Sequence, residues 1–266
     1  MDQYKELIKR IYNGLSEKDG FFVNNPILPA LEEHSLWTYW QGRGVRNPKI
    51  MVVGQDWGSK AQSDKYCSYI KSYPDESVVS FEQIRQVTKL KAREFTTDKQ
   101  LRNIMNDIFG YPDICKEKIE ELYFTNLIPG YRKEGKSTGN STEVKRWIYD
   151  DENHILDNFN ELLEILKPQY LICLGCLVSE SIAGKYGNDI VFKNKSYNEF
   201  LDEELDPKEV KPIKIKLESG HNIIMFAMPH LGGLGKANRN KYLNKKEDNR
   251  SFDDDWKVVA KYINNA

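Results

Sequence analysis

The chain has 266 residues, 39% of them hydrophobic and 12% aromatic. A chain of that length buries roughly 70–75% of its unfolded surface around a core, which excludes a disordered or fibrous protein. Its 39 Lys and Arg stand against 40 Asp and Glu, a formal net charge of -1, so no global basic field exists to coat nucleic acid or membrane, and any nucleic-acid site has to be a local patch.

The N-terminus opens as an amphipathic polar helix instead of a targeting leader. No run approaches the roughly eighteen apolar residues of a membrane span. Cys67, Cys115, Cys173 and Cys176 are too few for a disulfide framework and fit a reducing compartment. A cytoplasmic monomer is expected. Without a Pro/Gly/Ser-rich linker or an internal repeat, residues 1–266 read as one domain, with 1–44 a helical part that packs Leu31, Leu36, Trp37 and Trp40 on the sheet.

Four short apolar runs read as buried strands: Lys49 to Gly54, Leu122 to Leu127, Gln169 to Gly175 and Asn222 to Met228. Asp151 to Lys167 carries Ile155, Leu156, Phe159, Leu162, Leu163, Ile165 and Leu166 at helical spacing and is closed by Pro168. Lys211 to Glu218 alternates polar and apolar and meets the fourth strand through Ser219-Gly220, the pattern of an antiparallel hairpin partner. Trp256 to Ile263 predicts a closing helix. Strands apolar on both faces, alternating with helices, predict an α/β fold: a three-layer α/β/α sandwich on a mostly parallel four-stranded sheet.

In such sheets ligands bind beyond the carboxyl ends of the strands. The residues there are Gly54-Gln55-Asp56-Trp57-Gly58, Asn126 to Gly130, Gly175-Cys176, and Pro229-His230-Leu231-Gly232-Gly233-Leu234. An Asp, an Asn and a His thus converge from three strands. Singly, Asp56 and Asn126 are as well explained as turn formers and His230 as a hydrogen-bonded histidine at a strand end. Together they suit chemistry.

These residues resemble three motifs of the uracil-DNA glycosylase superfamily, in the same order, over 49–240. Gly54-Gln55-Asp56 resembles the opening of the water-activating motif, Gly-Gln-Asp-Pro-Tyr in the best-known branch. Asn126 resembles the residue that reads uracil, and Pro229 to Leu234 resembles the late His-Pro-Ser-Pro-Leu motif. The resemblance implies a monofunctional DNA N-glycosylase of base-excision repair that flips a base from DNA and hydrolyses its N-glycosidic bond. Asp56 would stabilise the sugar cation and orient water, His230 would stabilise the departing base as a neutral donor, and Asn126 would pair with the base edge. Gln55, Trp57, Gly58 and Tyr69 are placed with the base pocket; Tyr69 as a stacking ring competes with a plain core role, and Trp57 with buried packing. Leu234, four residues past His230, would be the wedge filling the flipped base's gap, against a loop Leu packed on the domain.

The departures are specific. Trp57-Gly58 replaces Pro-Tyr, whose Tyr excludes the thymine methyl in the family, so a modified pyrimidine or a hypermodified base in foreign DNA is an alternative substrate. Leu231-Gly232-Gly233 replaces the Ser and prolines and predicts a looser loop. The insertion from about Tyr186 to Asp206 matches nothing in the family. Phosphate contacts are expected from Lys236 and Arg239 in the basic segment to Arg250, and from Arg132 and Lys133 in the segment to Trp147; the competing reading of each segment is a solvated charged face. Cys173 and Cys176 lack a second pair at metal spacing, so no metal and no cofactor are expected, although some branches carry an iron–sulfur cluster. An inactive lesion-binding relative is the reading from another class. A nucleotide-binding protein is disfavoured by the absence of a glycine-rich phosphate loop.

Overall fold

The computed structural model describes residues 3, 4, 6, 7, 10, 11, 22–24, 47–56, 96–112, 119–132, 142–188, 192–247 and 249–265. Its centre is a five-stranded sheet, one strand more than expected: β2 (Ile50–Gly54), β3 (Leu122–Asn126), β5 (Tyr170–Leu174), β6 (Ile213–Lys216) and β7 (Asn222–Met228), in the order β3-β2-β5-β7-β6. The added strand is the hairpin partner β6, antiparallel to β7, while β2–β3, β2–β5 and β5–β7 are parallel. Every residue of β2 and of β5 is buried, which is the pattern of a sheet covered on both faces. β6 alternates buried and exposed residues, because as an edge strand it keeps one face in water.

The helices among the described residues are α1 (Thr96–Asn103), α2 (Thr142–Tyr149), α3 (Ile155–Leu166), α4 (Cys176–Lys185), α5 (Tyr197–Glu204), α6 (Gly233–Lys245) and α7 (Phe252–Asn265). A π-helical turn, Ile104–Ile108, extends α1. The helix expected over Asp151 to Lys167 is broken at its start. Asp151–Asn153 is a 3-10 turn, His154 adopts φ 50°, and only then does α3 run, burying Ile155, Phe159, Leu162, Leu163 and Leu166. Asp150 causes this break by accepting the Glu152 backbone N–H, so the chain is capped locally before α3 begins. α7 is longer than the predicted closing helix; it starts at Phe252 and buries Phe252, Trp256, Val259 and Ile263.

The N-terminal part is not purely helical. Residues 3, 4, 6, 7, 10 and 11 are helical, with Tyr4, Leu7 and Ile11 buried on one face. Phe22–Asn24, however, forms strand β1, pairing antiparallel with β4 (Gly130–Arg132) in a separate two-stranded ribbon. Leu31, Leu36, Trp37 and Trp40 lie outside the described residues. The chain leaves β2 toward β3 on one side and later places β5 on the other side of β2, so the connections diverge at the carboxyl ends of β2 and β5. A crevice at such a switch point is where open α/β sheets bind ligands.

Candidate functional site

Asp56 sits two residues past β2, and its register is fixed from the neighbouring strand. The Leu127 N–H donates to the Gly54 carbonyl at 2.8 Å and the Ile128 N–H to the Gln55 carbonyl at 2.9 Å, extending the β2–β3 ladder past the last strand residues. Leu127 and Ile128 are buried, which anchors this extension. After Gly130 the chain turns back as β4 and delivers Arg132 over Asp56.

Arg132 Nε donates to Asp56 Oδ1 at 3.0 Å, and Gln55 Nε2 donates to Asp56 Oδ2 at 2.8 Å. Each carboxylate oxygen therefore has a donor, one of them charged. The pair is largely shielded, with 11% of the Arg132 side chain and 4% of the Asp56 side chain exposed. Two expectations change. Arg132, expected at a DNA phosphate, is turned inward onto the carboxylate, and the Gln55 amide, expected in the base pocket, faces Asp56.

Asn126 ends β3 opposite Gly54 and is buried. Its Nδ2 has no hydrogen-bond partner among the described residues. A buried amide donor left unsatisfied costs about 1–3 kcal/mol, so the position is one that an acceptor on a ligand would complete.

His230 follows β7 and lies exposed at the crevice, with its ring tautomer set by the chain just beyond it. The Gly232 N–H donates to His230 Nδ1 at 2.9 Å, so Nδ1 is the acceptor and the neutral ring carries its proton on Nε2. Desolvation by the surrounding protein lowers the ring below the usual histidine range, Asp56 opposing this and Arg132 adding to it. The charge of Asp56 thus reaches the His230 ring near the exit of β5. That exit is Gly175, at φ 94°, where an added Cβ would meet the His230 Cβ at 3.6 Å.

Two glycines after His230, Gly232 and Gly235, pack closely against it, while an added Cβ at Gly233 would meet nothing within 4 Å. A Cβ at Gly232 would lie 2.9 Å from His230 Nδ1, and one at Gly235 would lie 2.0 Å from the His230 carbonyl oxygen. Leu231 is fully buried and α6 begins at Gly233. Leu234, in the first turn of α6, is 80% exposed. Thr97, at the start of α1, has its hydroxyl 3.8 Å from where that Gly232 Cβ would be, so α1 also borders the site.

The basic segment along α6 is mostly committed to the protein. Arg239 is 1% exposed and donates from Nε and Nη2 to the two Asp255 oxygens at 2.7 and 3.2 Å. It also donates to the Asn198 carbonyl and pairs with Asp202, so the phosphate contact expected of it has no atom at the surface. Lys236 Nζ bonds both Asp253 oxygens at 2.9 and 3.0 Å and lies over the Phe252 ring. Lys241 and Lys245 on α6, and Lys145 and Arg146 on α2, are exposed. Trp57, Gly58, Tyr69 and Lys133 lie outside the described residues.

The segment without a motif match turns out to brace the His230 strand. β6 pairs with β7 only as far as Ile213 and Met225, leaving the free edge of Ala227 and Met228 without a strand partner. α5 fills that edge: the Ala227 N–H donates to both Glu204 oxygens, and Tyr197 Oη donates to the Met228 carbonyl at 3.0 Å. α5 is held in register by a capping box between Ser196 and Glu199. Burial drives the Glu204 carboxyl well above its ordinary range, the nearby Asp255 adding to this. The two cysteines near the crevice are poor thiolates: burial raises Cys173 far up, and burial with a hydrogen bond to Glu180 pushes Cys176 up to about 12. Among the described residues no group of His, Cys, Asp or Glu has the geometry to hold a metal ion, and no helix is long and apolar enough to cross a membrane.

No protein-family model matches the chain, and no curated protein matches it in sequence.

Proposed function

We propose that this chain is a DNA glycosylase that extrudes a base, uracil or a modified pyrimidine, and hydrolyses its N-glycosidic bond. One observation carries the reading: a held carboxylate, a neutral imidazole with its proton on Nε2 and a buried amide donor without a partner among the described residues stand at the exits of three parallel strands. This set matches the needs of the reaction and accords with the resemblance of the motifs around Asp56, Asn126 and His230 to the uracil-DNA glycosylase superfamily. As the bond from the sugar to the base breaks, its electron pair leaves with the base and a cation develops on the sugar. Asp56 stabilises that cation and orients the water that adds to it, the water's proton passing to solvent. His230 Nε2–H donates to the oxygen of the departing base, and Asn126 Nδ2 donates to an acceptor on the base edge. Leu234 would enter the stack, and its 80% exposure supports that reading.

The test is a panel of labelled oligonucleotides, each carrying uracil, hypoxanthine, a thymine mismatch, or hydroxymethylated or glucosylated cytosine, followed by alkali to cut abasic sites. The wild type is expected to cleave at least one substrate. Asp56→Asn keeps the side-chain shape but loses its charge, and is expected to reduce turnover by about 10²–10³-fold, the scale of a lost electrostatic stabiliser, with DNA binding retained. Binding without cleavage of any substrate by the wild type would replace the enzyme with a lesion-binding protein.

A further inference from the structure

The small ribbon β1–β4 has no place in the sheet that forms the crevice, yet it supplies the cation that touches Asp56. Arg132 comes from a strand of three residues, reaches Asp56 with one guanidinium nitrogen at 3.0 Å, and is nearly as shielded as the carboxylate it holds. Gln55 holds the other oxygen, so rotation of the carboxylate about its own axis would break one of the two bonds. A guanidinium placed this way leaves the carboxylate a fixed target for a developing cation.

The charge has a second consequence. Among the described residues the charged groups whose fields reach the His230 ring are Asp56, past the end of β2, and Arg132, in β4; α6 contributes the uncharged Gly232 N–H, and α1 borders the loop with the Thr97 hydroxyl. Asp56 alone favours an imidazolium, which would place a proton on Nδ1 and break the bond from Gly232. Arg132 opposes it.

We propose that Arg132 is a positioning residue and not a phosphate contact: it fixes the Asp56 carboxylate and balances its charge beside His230, so that the ring keeps the neutral form with its proton on Nε2. This rests on the glycosylase reading for its effect on turnover, but not for its effect on His230.

The experiment follows the His230 ring by NMR as pH is varied in the full chain, in wild type, Arg132→Gln, Arg132→Lys and Asp56→Asn. With the guanidinium charge removed, the His230 midpoint is expected to move up in Arg132→Gln, to move further down than wild type in Asp56→Asn, and to stay near wild type in Arg132→Lys. The backbone spectrum of each variant shows whether it is folded; Arg132→Lys serves if Arg132→Gln is not, since it keeps the charge and displaces the bond. On a cleaved substrate, Arg132→Gln is expected to lower kcat by about 10²-fold, the effect of a misplaced reacting group, with KM little changed. An unchanged His230 midpoint in folded Arg132→Gln overturns the proposal. So does the pattern of a phosphate contact: weaker DNA binding at every sequence, a salt slope reduced by about 1, and unaltered kcat. If the wild type cleaves nothing in the panel the glycosylase reading fails, and the His230 titration still decides the role of Arg132.

Discussion

Among the described residues two Arg–Asp pairs have both side chains at most 11% exposed, and they are built for different ends. Arg239 and Asp255 are 1% and 0% exposed at the side chain, meet through two parallel bonds, and have their surroundings completed by Asp202 and the Asn198 carbonyl. Arg132 and Asp56 meet at the carboxyl ends of the parallel strands, beside an exposed histidine and an amide donor without a partner among the described residues. The first pair joins α6 to α7 within a network that runs through Asp202 to Lys246 and Arg250. The second lies beside the exposed His230, at the end of β7. Burial alone does not separate them; what does is the exposed His230 whose ring feels the charges of Asp56 and Arg132.

The sharpest break of that contrast is the closed pair. Burial raises the Asp255 carboxyl even with Arg239 bonded to it, the sign of an ion pair whose desolvation is only partly offset. Removing one partner leaves the other buried and uncompensated. Asp255→Asn is therefore expected to lower stability by about 3–5 kcal/mol, read as a lower urea midpoint, with turnover per folded molecule unchanged. Asp56→Asn should cost less stability, because Arg132 keeps 11% of its side chain exposed to water, and on the proposed reading should lose turnover. Equal losses of stability in both variants would erase the distinction.

The closed side of the molecule is the more legible in sequence. β2, β5 and β7 are runs apolar on both faces, a pattern that only burial between two layers explains, and α3 shows its stripe directly. The alternation of Lys211 to Glu218 identifies a hairpin partner, but counting it as a member of the sheet requires the observed register with β7. Asp56, Asn126 and His230 are visible because strand ends are where to look. Their mutual arrangement is legible only in part. β1 and β4 are three residues each, too short for any period, and their pairing joins distant segments, so nothing local announces that Arg132 returns to Asp56. Arg239 fails for the same reason: its basic neighbours suggest a solvated face, and only the docking of α7 brings Asp255 against it. Glu204 and Tyr197 lie in the segment without a motif match, and their role appears only once β6 ends early and leaves an edge to satisfy.

A smaller effect is expected where α6 starts. In an exposed helix interior, Gly→Ala gains about 1 kcal/mol. At Gly235 the added Cβ would lie 2.0 Å from the His230 carbonyl oxygen, which is backbone, so either α6 or the His230 turn has to move. Overpacking of that kind costs about 1–3 kcal/mol, enough to reverse the sign. Gly235→Ala is expected to lower the urea midpoint and to disturb the His230 ring resonance, whereas Gly233→Ala, with nothing within 4 Å of the new Cβ, should be neutral or stabilising. If both variants are stabilised, α6 does not sit against His230 as closely as described.

The smallest change in stability belongs to the residue with the most surface to lose. Leu234 is 80% exposed, so truncating it removes almost no buried contact, and Leu234→Ala is expected to leave stability within about 0.5 kcal/mol of wild type. Its consequence should appear only on a substrate whose bases are stacked. A wedge acts by filling the space that an extruded base vacates in a duplex, and a single strand offers no such gap. Leu234→Ala is accordingly expected to slow cleavage of duplex DNA more than cleavage of the same base in single-stranded DNA, measured as the ratio of the two kcat/KM values. An unchanged ratio would mean that this exposed leucine takes no part in extrusion, and the open side of the molecule would then consist of the strand-end residues alone.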